Sequence, residues 1–168
     1  MYKKTQKTNM TTNPPLTPEQ ASAIFRNLSR MTPEEKLEYL QMIEQSEEHK
    51  KRNLAKTDMI EFAKHVYPGF KVGPHHRKLA KIFSDVIDGK KKRVIINIAP
   101  RMGKSEFSSY LFPAFFLGNF PQKKIIMGTH TAGLSEDFGR RVRNLIDGED
   151  YTELFPGTKI ARSEEHTS

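Results

Sequence analysis

Two short apolar runs constrain the fold more than any other feature of the sequence: RVIINIA at 93–99 and KKIIMGTH at 123–130. Both are rich in β-branched residues and neither alternates with polar residues, which is typical of strands buried on both faces. Each run precedes a segment with helical spacing, over residues 104–117 and in AGLSEDFGRRVRNLIDGED. This alternation predicts an α/β fold with a parallel sheet and helices on both of its faces.

The N-terminal part of the sequence predicts a different organisation. Residues 1–16 are basic and polar, and we interpret them as a disordered arm. Residues 17–56 contain two helix-start signals, TPEQ and TPEE. In each, a threonine is followed directly by proline at the first helical position, and Gln or Glu stands three residues after the threonine. We therefore predict a helical N-terminal region over 17–56, followed by the first part of an α/β domain over 57–161.

Two further helices are predicted before the first apolar run. One begins at Asp58 and stops before Pro68, because the residue preceding a proline disfavours helical backbone. The other follows the turn-rich segment YPGFKVGPHH, shows helical spacing in HRKLAKIFSDVIDG, and ends at Gly89.

Composition narrows the classes of function. The net charge of +8 and the pI near 9.6 favour an anionic partner, with nucleic acid the first candidate. The absence of cysteine excludes disulfides and thiolate metal sites and is compatible with a reducing cytosol. The sequence contains neither an apolar run long enough to cross a bilayer nor the apolar region of a secretory signal.

The last seven residues, RSEEHTS at 162–168, have an unusual sequence. A widely used sequencing adapter encodes this peptide when it is translated in one frame. We interpret residues 162–168 as such an artefact, with the natural sequence ending near Ala161. The alternative is an ordinary polar C-terminus.

The segment between the first run and its helix contains a phosphate-binding signal, NIAPRMGKSEF. Gly103 permits close approach of the backbone, Lys104 brings a positive charge to the phosphates, and the Ser105 hydroxyl is suited to hold Mg²⁺. The usual pattern has an earlier glycine where this chain has Ile98. Because the last turn of the loop carries the phosphate contacts, we still predict that ATP and Mg²⁺ bind here.

Arg101 adds a second positive charge inside this loop. It is suited to stabilise charge on the γ-phosphoryl group, as an arginine finger does. The alternative is a surface arginine that pairs with a carboxylate such as Glu106.

Beyond the loop, the sequence PRMGKSEFSSYLFPAFFLGNF, the second apolar run, DFGRRVRN and LFPG together resemble the large terminase subunits of tailed bacteriophages. The resemblance covers residues 58–160. It implies a P-loop ATPase domain of the ASCE class, from a motor that hydrolyses ATP to move double-stranded viral DNA into the capsid. It also implies a small terminase subunit and a portal protein as partners, a homo-oligomeric ring, no membrane, and a place in the host cytoplasm.

The resemblance implies roles for individual residues. Arg101 and Lys104 match the catalytic cations, and Ser105 matches the Mg²⁺ ligand. His76, with His75 beside it, stands nearest to the position that contacts the adenine in the family. The alternative is a helix-capping or surface histidine. The complete predicted nucleotide site is Pro100, Arg101, Met102, Gly103, Lys104, Ser105, Glu106 and His76.

Other polar residues carry weaker predictions. Arg140, Arg141 and Arg143 either reach a neighbouring nucleotide or DNA or, as we favour, form a solvated basic face. GKKKR at 89–93 is a basic turn that we interpret as solvated rather than as a DNA contact. Thr129 and His130 end the second run, where ligands bind in open α/β folds.

The catalytic carboxylates expected of such an ATPase are missing from the sequence. An apolar strand ending in Asp-Glu is needed to hold Mg²⁺ and to activate water, and FSDVIDG and RNLIDGED fall on helical patterns instead. The three-carboxylate nuclease site of the family is also missing. We therefore expect this chain to bind nucleotide without turning it over. The alternatives are another P-loop ATPase, such as a helicase, and a non-enzymatic protein that binds DNA or a partner.

Overall fold

The structure is a computed structural model that describes residues 31–160. The predicted disordered arm, the helix predicted from residue 17 and the tail at 162–168 lie outside these residues. The chain divides into two compact units, residues 1–48 and 49–168.

Six α-helices and one π-helix make up the regular structure of the described residues, and they are α1 Pro33–Thr57, α2 Met59–Val66, α3 Pro74–Ile87, the π-helix Glu106–Leu111, α4 Phe112–Asn119, α5 Ala132–Ile146 and α6 Glu149–Leu154. The π-helix is preceded by two α-helical residues and continues into α4, so that residues 104–119 form one helical rod.

The N-terminal unit contains the start of α1. The Thr32 hydroxyl accepts from the N–H of Glu35, and the Glu35 carboxylate accepts from the N–H of Thr32, which is the reciprocal capping predicted from TPEE. Leu37 and Leu40 of this helix are 59% and 60% exposed.

The second unit is built around aromatic side chains. Phe62 of α2 is fully buried and contacts Phe115, Tyr151 and Phe155, with ring centroids 5.3–6.1 Å apart. Helix α2 packs against α3, α4 and α6, so this ring cluster joins helices that are far apart in sequence. The Tyr151 hydroxyl donates to the Ala114 carbonyl at 2.9 Å, and burial raises its pKa to about 12. The core is therefore formed by helices. The buried Tyr151 hydroxyl has a hydrogen-bond partner, as buried polar groups generally do.

Local sequence explains the helix boundaries. The Asp58 carboxylate accepts from the N–H groups of Ile60 and Glu61 and so begins α2. Gly69 and Gly89 adopt φ of +81° and +72° in the turns after α2 and α3, a conformation that favours glycine. The helices predicted at 58–67, before Gly89, from 104 and from 132 are confirmed.

The predicted parallel sheet is wrong for the residues that the structure describes. Residues 93–99 and 123–130 have no strand structure, and the described part of the chain contains no strand at all, so no P-loop sheet of the ASCE type is formed there. A strand exists only when its N–H and C=O groups pair with a neighbour. No backbone hydrogen bond within residues 31–160 joins these two segments. Ile95 and Ile126 are 89% and 97% exposed, so a β-branched run alone was not sufficient to specify a strand.

Candidate phosphate-binding loop

The loop at residues 100–105 connects the first extended segment to the helical rod 104–119. Arg101 and Gly103 have φ of +63° and +70°, and Arg101 is the only non-glycine residue with positive φ in the described chain. Left-handed backbone at a non-glycine residue costs free energy and often marks a functional site. Alternation of left- and right-handed residues turns successive N–H groups toward one concavity, an arrangement that binds anions.

The N–H groups of this loop are free of protein acceptors. The first hydrogen bond of the rod runs from the N–H of Phe107 to the Gly103 carbonyl at 2.9 Å. None of the N–H groups of residues 101–106 donates to an acceptor within residues 31–160. Because the N-terminus of a helix also carries a partial positive charge, this row of donors favours an anion.

The side chains of the loop add formal charge. Pro100, Arg101, Met102 and Ser105 are exposed, and Lys104 is half-buried. Neither Arg101 nor Lys104 forms an ion pair with another described residue. The alternative in which Arg101 pairs with Glu106 is therefore not what the structure contains, and both cations are free to meet a ligand.

Glu106 instead pairs with Arg141 of α5. The Nη2 atom of Arg141 lies 2.6 and 2.8 Å from the two carboxylate oxygens, and its guanidinium lies 4.3 Å from the centre of the Tyr110 ring. The neighbouring carboxylate raises the pKa of Arg141, and burial raises the pKa of Tyr110. This ion pair connects α5 to the first turns of the rod. The Glu106 carboxylate therefore faces Arg141 and does not pair with Arg101 or Lys104 of the loop.

His76 is buried and lies next to Gly103 of the loop. Its ring is 7% exposed and lies between Phe70 and Phe107, with centroids 5.0 and 5.2 Å away. A Cβ atom on Gly103 would lie 3.1 Å from His76 Nε2, so a larger residue here would need both left-handed backbone and a shift of the His76 ring. The structure thus brings His76 and Gly103 together, although they are 27 residues apart.

The hydrogen bonds of His76 define its protonation state. The N–H of Gly73 donates to Nδ1 at 3.0 Å, so a neutral His76 carries its proton on Nε2. That nitrogen lies 3.2 Å from Nε2 of His75. Burial, and secondarily the charge that His75 can carry, lower the pKa of His76. The neutral form is therefore the one that satisfies this packing.

The remaining predicted polar residues lie elsewhere. The Thr129 hydroxyl donates to the Thr131 carbonyl and lies 2.6 Å from the Ser135 hydroxyl, beside the start of α5, and His130 is exposed. Arg140 pairs with Asp137, whereas Arg143 is exposed. In the basic turn, two lysines are paired, Lys90 with Asp88 and Lys91 with Asp85.

The residues present fit phosphates better than they fit a metal ion alone. The free N–H groups and two unpaired cations suit phosphate oxygens, but within residues 31–160 no group of three or more His, Cys, Asp or Glu side chains is arranged to hold a metal. Ser105 supplies one exposed hydroxyl. A magnesium ion would therefore enter with the phosphates that it neutralises, in the manner common for Mg²⁺.

The pairing of Glu106 with Arg141 and the support of Gly103 by His76 are the two features that sequence reasoning could reach least easily. Glu106 and Arg141 are 35 residues apart, and no local spacing links them.

Comparison of the chain with protein-family profiles, curated proteins and solved structures found no match. In the described part of the chain, no helix is long and apolar enough to cross a membrane.

Proposed function

We propose that residues 100–106 bind the phosphate groups of ATP. The observation that carries this proposal is the row of N–H groups at 101–106 that have no acceptor in the described chain, at the start of a long helical rod and next to two unpaired cations. The proposal requires the loop and the helix start, and it does not require the sheet that the sequence predicted.

The chain's own residues divide the work of binding. The N–H groups donate to phosphate oxygens, and Lys104 and Arg101 supply positive charge. Ser105 would hold the Mg²⁺ ion, which supplies neutralisation of the phosphate charge when bound. His76 lies beside Gly103 and leaves little room for a side chain there, which favours glycine in the loop. A contact of His76 with the adenine remains a prediction of the resemblance.

We extend the proposal to the biological setting that the resemblance implies. The chain acts as the ATP-binding part of a DNA-packaging motor in the host cytoplasm, with double-stranded viral DNA, a small terminase subunit and a portal protein as partners and a homo-oligomeric ring as the working form. The sequence PRMGKSE and the net charge of +8 support this extension.

We do not propose that this chain hydrolyses ATP at a steady rate. A water molecule attacking the γ-phosphate needs a carboxylate or an equivalent base within hydrogen-bond reach. Glu106 is the last residue of the segment 100–106 and its one acid, and its two oxygens are held by Arg141. We therefore expect ATP binding without steady hydrolysis, and phosphate release by the purified chain at a steady rate would contradict this expectation.

The test of binding is a titration of the purified 168-residue chain with Mg·ATP by calorimetry. Lys104→Ala removes one charge-assisted contact worth roughly 1.5–3 kcal/mol, so the affinity should fall about tenfold or more. Lys159→Ala is the matched control, since Lys159 is exposed and distant from the loop in sequence. Equal affinities for all three proteins would refute the proposed site and would favour the non-enzymatic alternative.

A further inference from the structure

A second concave site lies away from the phosphate-binding loop. It is a partly open pocket of about 530 Å³ between the start of α2, the outer face of α3 and the end of α4. Pockets of this size accommodate small organic ligands. None of residues 100–106 lines it.

The floor of the pocket is apolar and aromatic. Ile60, Phe83 and Phe115 contribute buried side chains, each no more than 5% exposed, and Phe120 stands at the end of α4 with 36% of its surface exposed. Aromatic side chains favour offset or edge-to-face contact with another ring. The floor therefore favours a ligand with a flat aromatic body.

The acidic side chains that line the pocket are already engaged. Asp58 caps α2 through the N–H groups of Ile60 and Glu61, Glu61 pairs with Lys64 at 2.6 Å, and Asp88 pairs with Lys90 at 2.7 Å. Two of the three carboxylates are thus paired with lysines, and the Asp58 carboxylate accepts both of its hydrogen bonds through Oδ1.

The basic side chains that line it form no ion pair with a described residue, although the charge of Lys81 helps to lower the pKa of Asp85. Arg77 and Lys81 lie four residues apart on α3, on the same face of the helix, and neither forms an ion pair or side-chain hydrogen bond with another residue of the described range. Ser84, one turn further along α3, adds an exposed hydroxyl. Arg77 and Lys81 are therefore the two cations of this lining that form no ion pair within the described range.

From this combination we infer that the pocket binds a small aromatic anion, with its ring against Phe83, Phe115 and Phe120 and its carboxylate or phosphate at Arg77 and Lys81. The inference goes beyond the proposed ATP site and uses none of its residues. Arginine and lysine at the rim select the anionic group, and the aromatic floor selects the body that carries it.

The experiment measures binding of 2-naphthoate to the 168-residue chain by ligand-observed NMR and calorimetry. Its neutral counterpart, 2-naphthol, has a similar ring system without the charge. We expect 2-naphthoate to bind about tenfold more tightly than 2-naphthol, a preference within reach of one partly exposed pair of cations. Equal affinities for the two probes, or no binding of naphthoate, would overturn the inference.

Variants locate the site. Arg77→Gln with Lys81→Gln should remove the preference for naphthoate, whereas Lys78→Gln, on the same helix but outside the pocket, should preserve it. Ala80→Leu should block both probes by filling the pocket. Loss of the preference in Lys78→Gln, or unchanged binding in the double variant, would contradict the assignment. The two glutamine variants change exposed side chains only, so they remain informative if Ala80→Leu disturbs folding.

ATP serves as the competitor that separates the two sites. Saturating Mg·ATP should leave the affinity for naphthoate unchanged, and displacement would assign the pocket to the nucleotide and overturn the inference. Failure of ATP to bind anywhere would refute the proposed function and leave the naphthoate result standing.

Discussion

The helical second unit and the two extended segments within it, residues 93–99 and 123–130, present their apolar side chains in opposite ways. Phe62 and Phe107 are fully buried among helices, whereas Ile95 and Ile126 are 89% and 97% exposed. A helix satisfies its backbone hydrogen bonds within one segment, so it needs a neighbour only for its apolar face. An extended segment needs a neighbour for its backbone as well. Apolar character alone therefore does not determine which residues become core.

The largest effect expected from this comparison is in the core. Phe62→Ala removes a fully buried ring that contacts three other aromatic rings, and it should lower the free energy of unfolding by about 3–5 kcal/mol. Ile126→Ala changes a side chain that is almost completely exposed and should cost less than about 0.5 kcal/mol. Urea denaturation followed by circular dichroism measures both. A large loss for Ile126→Ala would mean that residues 123–130 are packed in solution.

The next effect concerns the loop. Gly103→Ala must adopt φ of +70° and also place a Cβ atom 3.1 Å from His76 Nε2. Gly89→Ala has nearly the same φ, +72°, but no atom within 4 Å of the new carbon. Left-handed backbone costs roughly 1–2 kcal/mol for alanine, so Gly89→Ala should lose about that much stability and Gly103→Ala more.

The same two variants distinguish the cost of backbone strain from an effect on Mg·ATP binding. Only Gly103→Ala should also weaken Mg·ATP binding, because only that change moves the donors of the loop. Thermal unfolding and calorimetry supply the two readouts. Equal losses of stability with unchanged ATP affinity would show that the contact with His76 has no role in the loop.

A smaller effect is expected from the ion pair between α5 and the rod. Glu106→Gln weakens the two contacts with Arg141, which is 37% exposed, and should cost about 0.5–1 kcal/mol after allowance for solvent screening. Asp137→Asn breaks the more exposed pair with Arg140 and should cost close to nothing. A cost for Asp137→Asn that matched or exceeded that for Glu106→Gln would argue against a structural role of the Arg141 contact.

The smallest effect comes from one titrating group. Because the pKa of His76 in the folded chain is lowered, the unfolded chain binds more protons as pH falls below the ordinary histidine value of about 6.5. The contribution to stability is therefore fully present above that pH and is lost as pH falls through the folded pKa. His76→Gln should therefore reduce this pH dependence. Denaturant titrations at pH 7.5 and 5.5 measure the free energy of unfolding of the chain and of the variant, and so test this prediction.

Sequence reasoning succeeded where the signal is local. The capping contacts of Thr32 with Glu35, the cap at Asp58 and the helix end before Gly89 each depend on residues within one or two turns. The same reasoning placed a helix directly after Gly103, because glycine and the residues that follow it describe a turn and a helix start. The composition of the candidate loop was therefore accessible from the sequence.

It failed where the outcome depends on partners distant in sequence. The β-branched runs at 93–99 and 123–130 have strand propensity, but a sheet forms only if ladders pair, and propensity does not specify the pairing. The engagement of Glu106 by Arg141, 35 residues away, had no signal beyond opposite charge. The burial of His76 against Phe107 likewise depends on how α3 crosses the rod.

The π-helix Glu106–Leu111 lies between the candidate loop and the buried part of the rod. An α-helix advances by about 100° per residue, and each π-type turn accommodates one residue more than an α-helical turn of similar height. The rod is anchored at its far end by Ala114 and Phe115 in the core. Because the wide turn already takes up one extra residue, deleting one residue from the π-helical stretch would restore the α-helical repeat while the helix on either side keeps its phase. The same deletion in the α-helical part of the rod, between Phe112 and Asn119, would instead turn the preceding residues by roughly 100° about the axis.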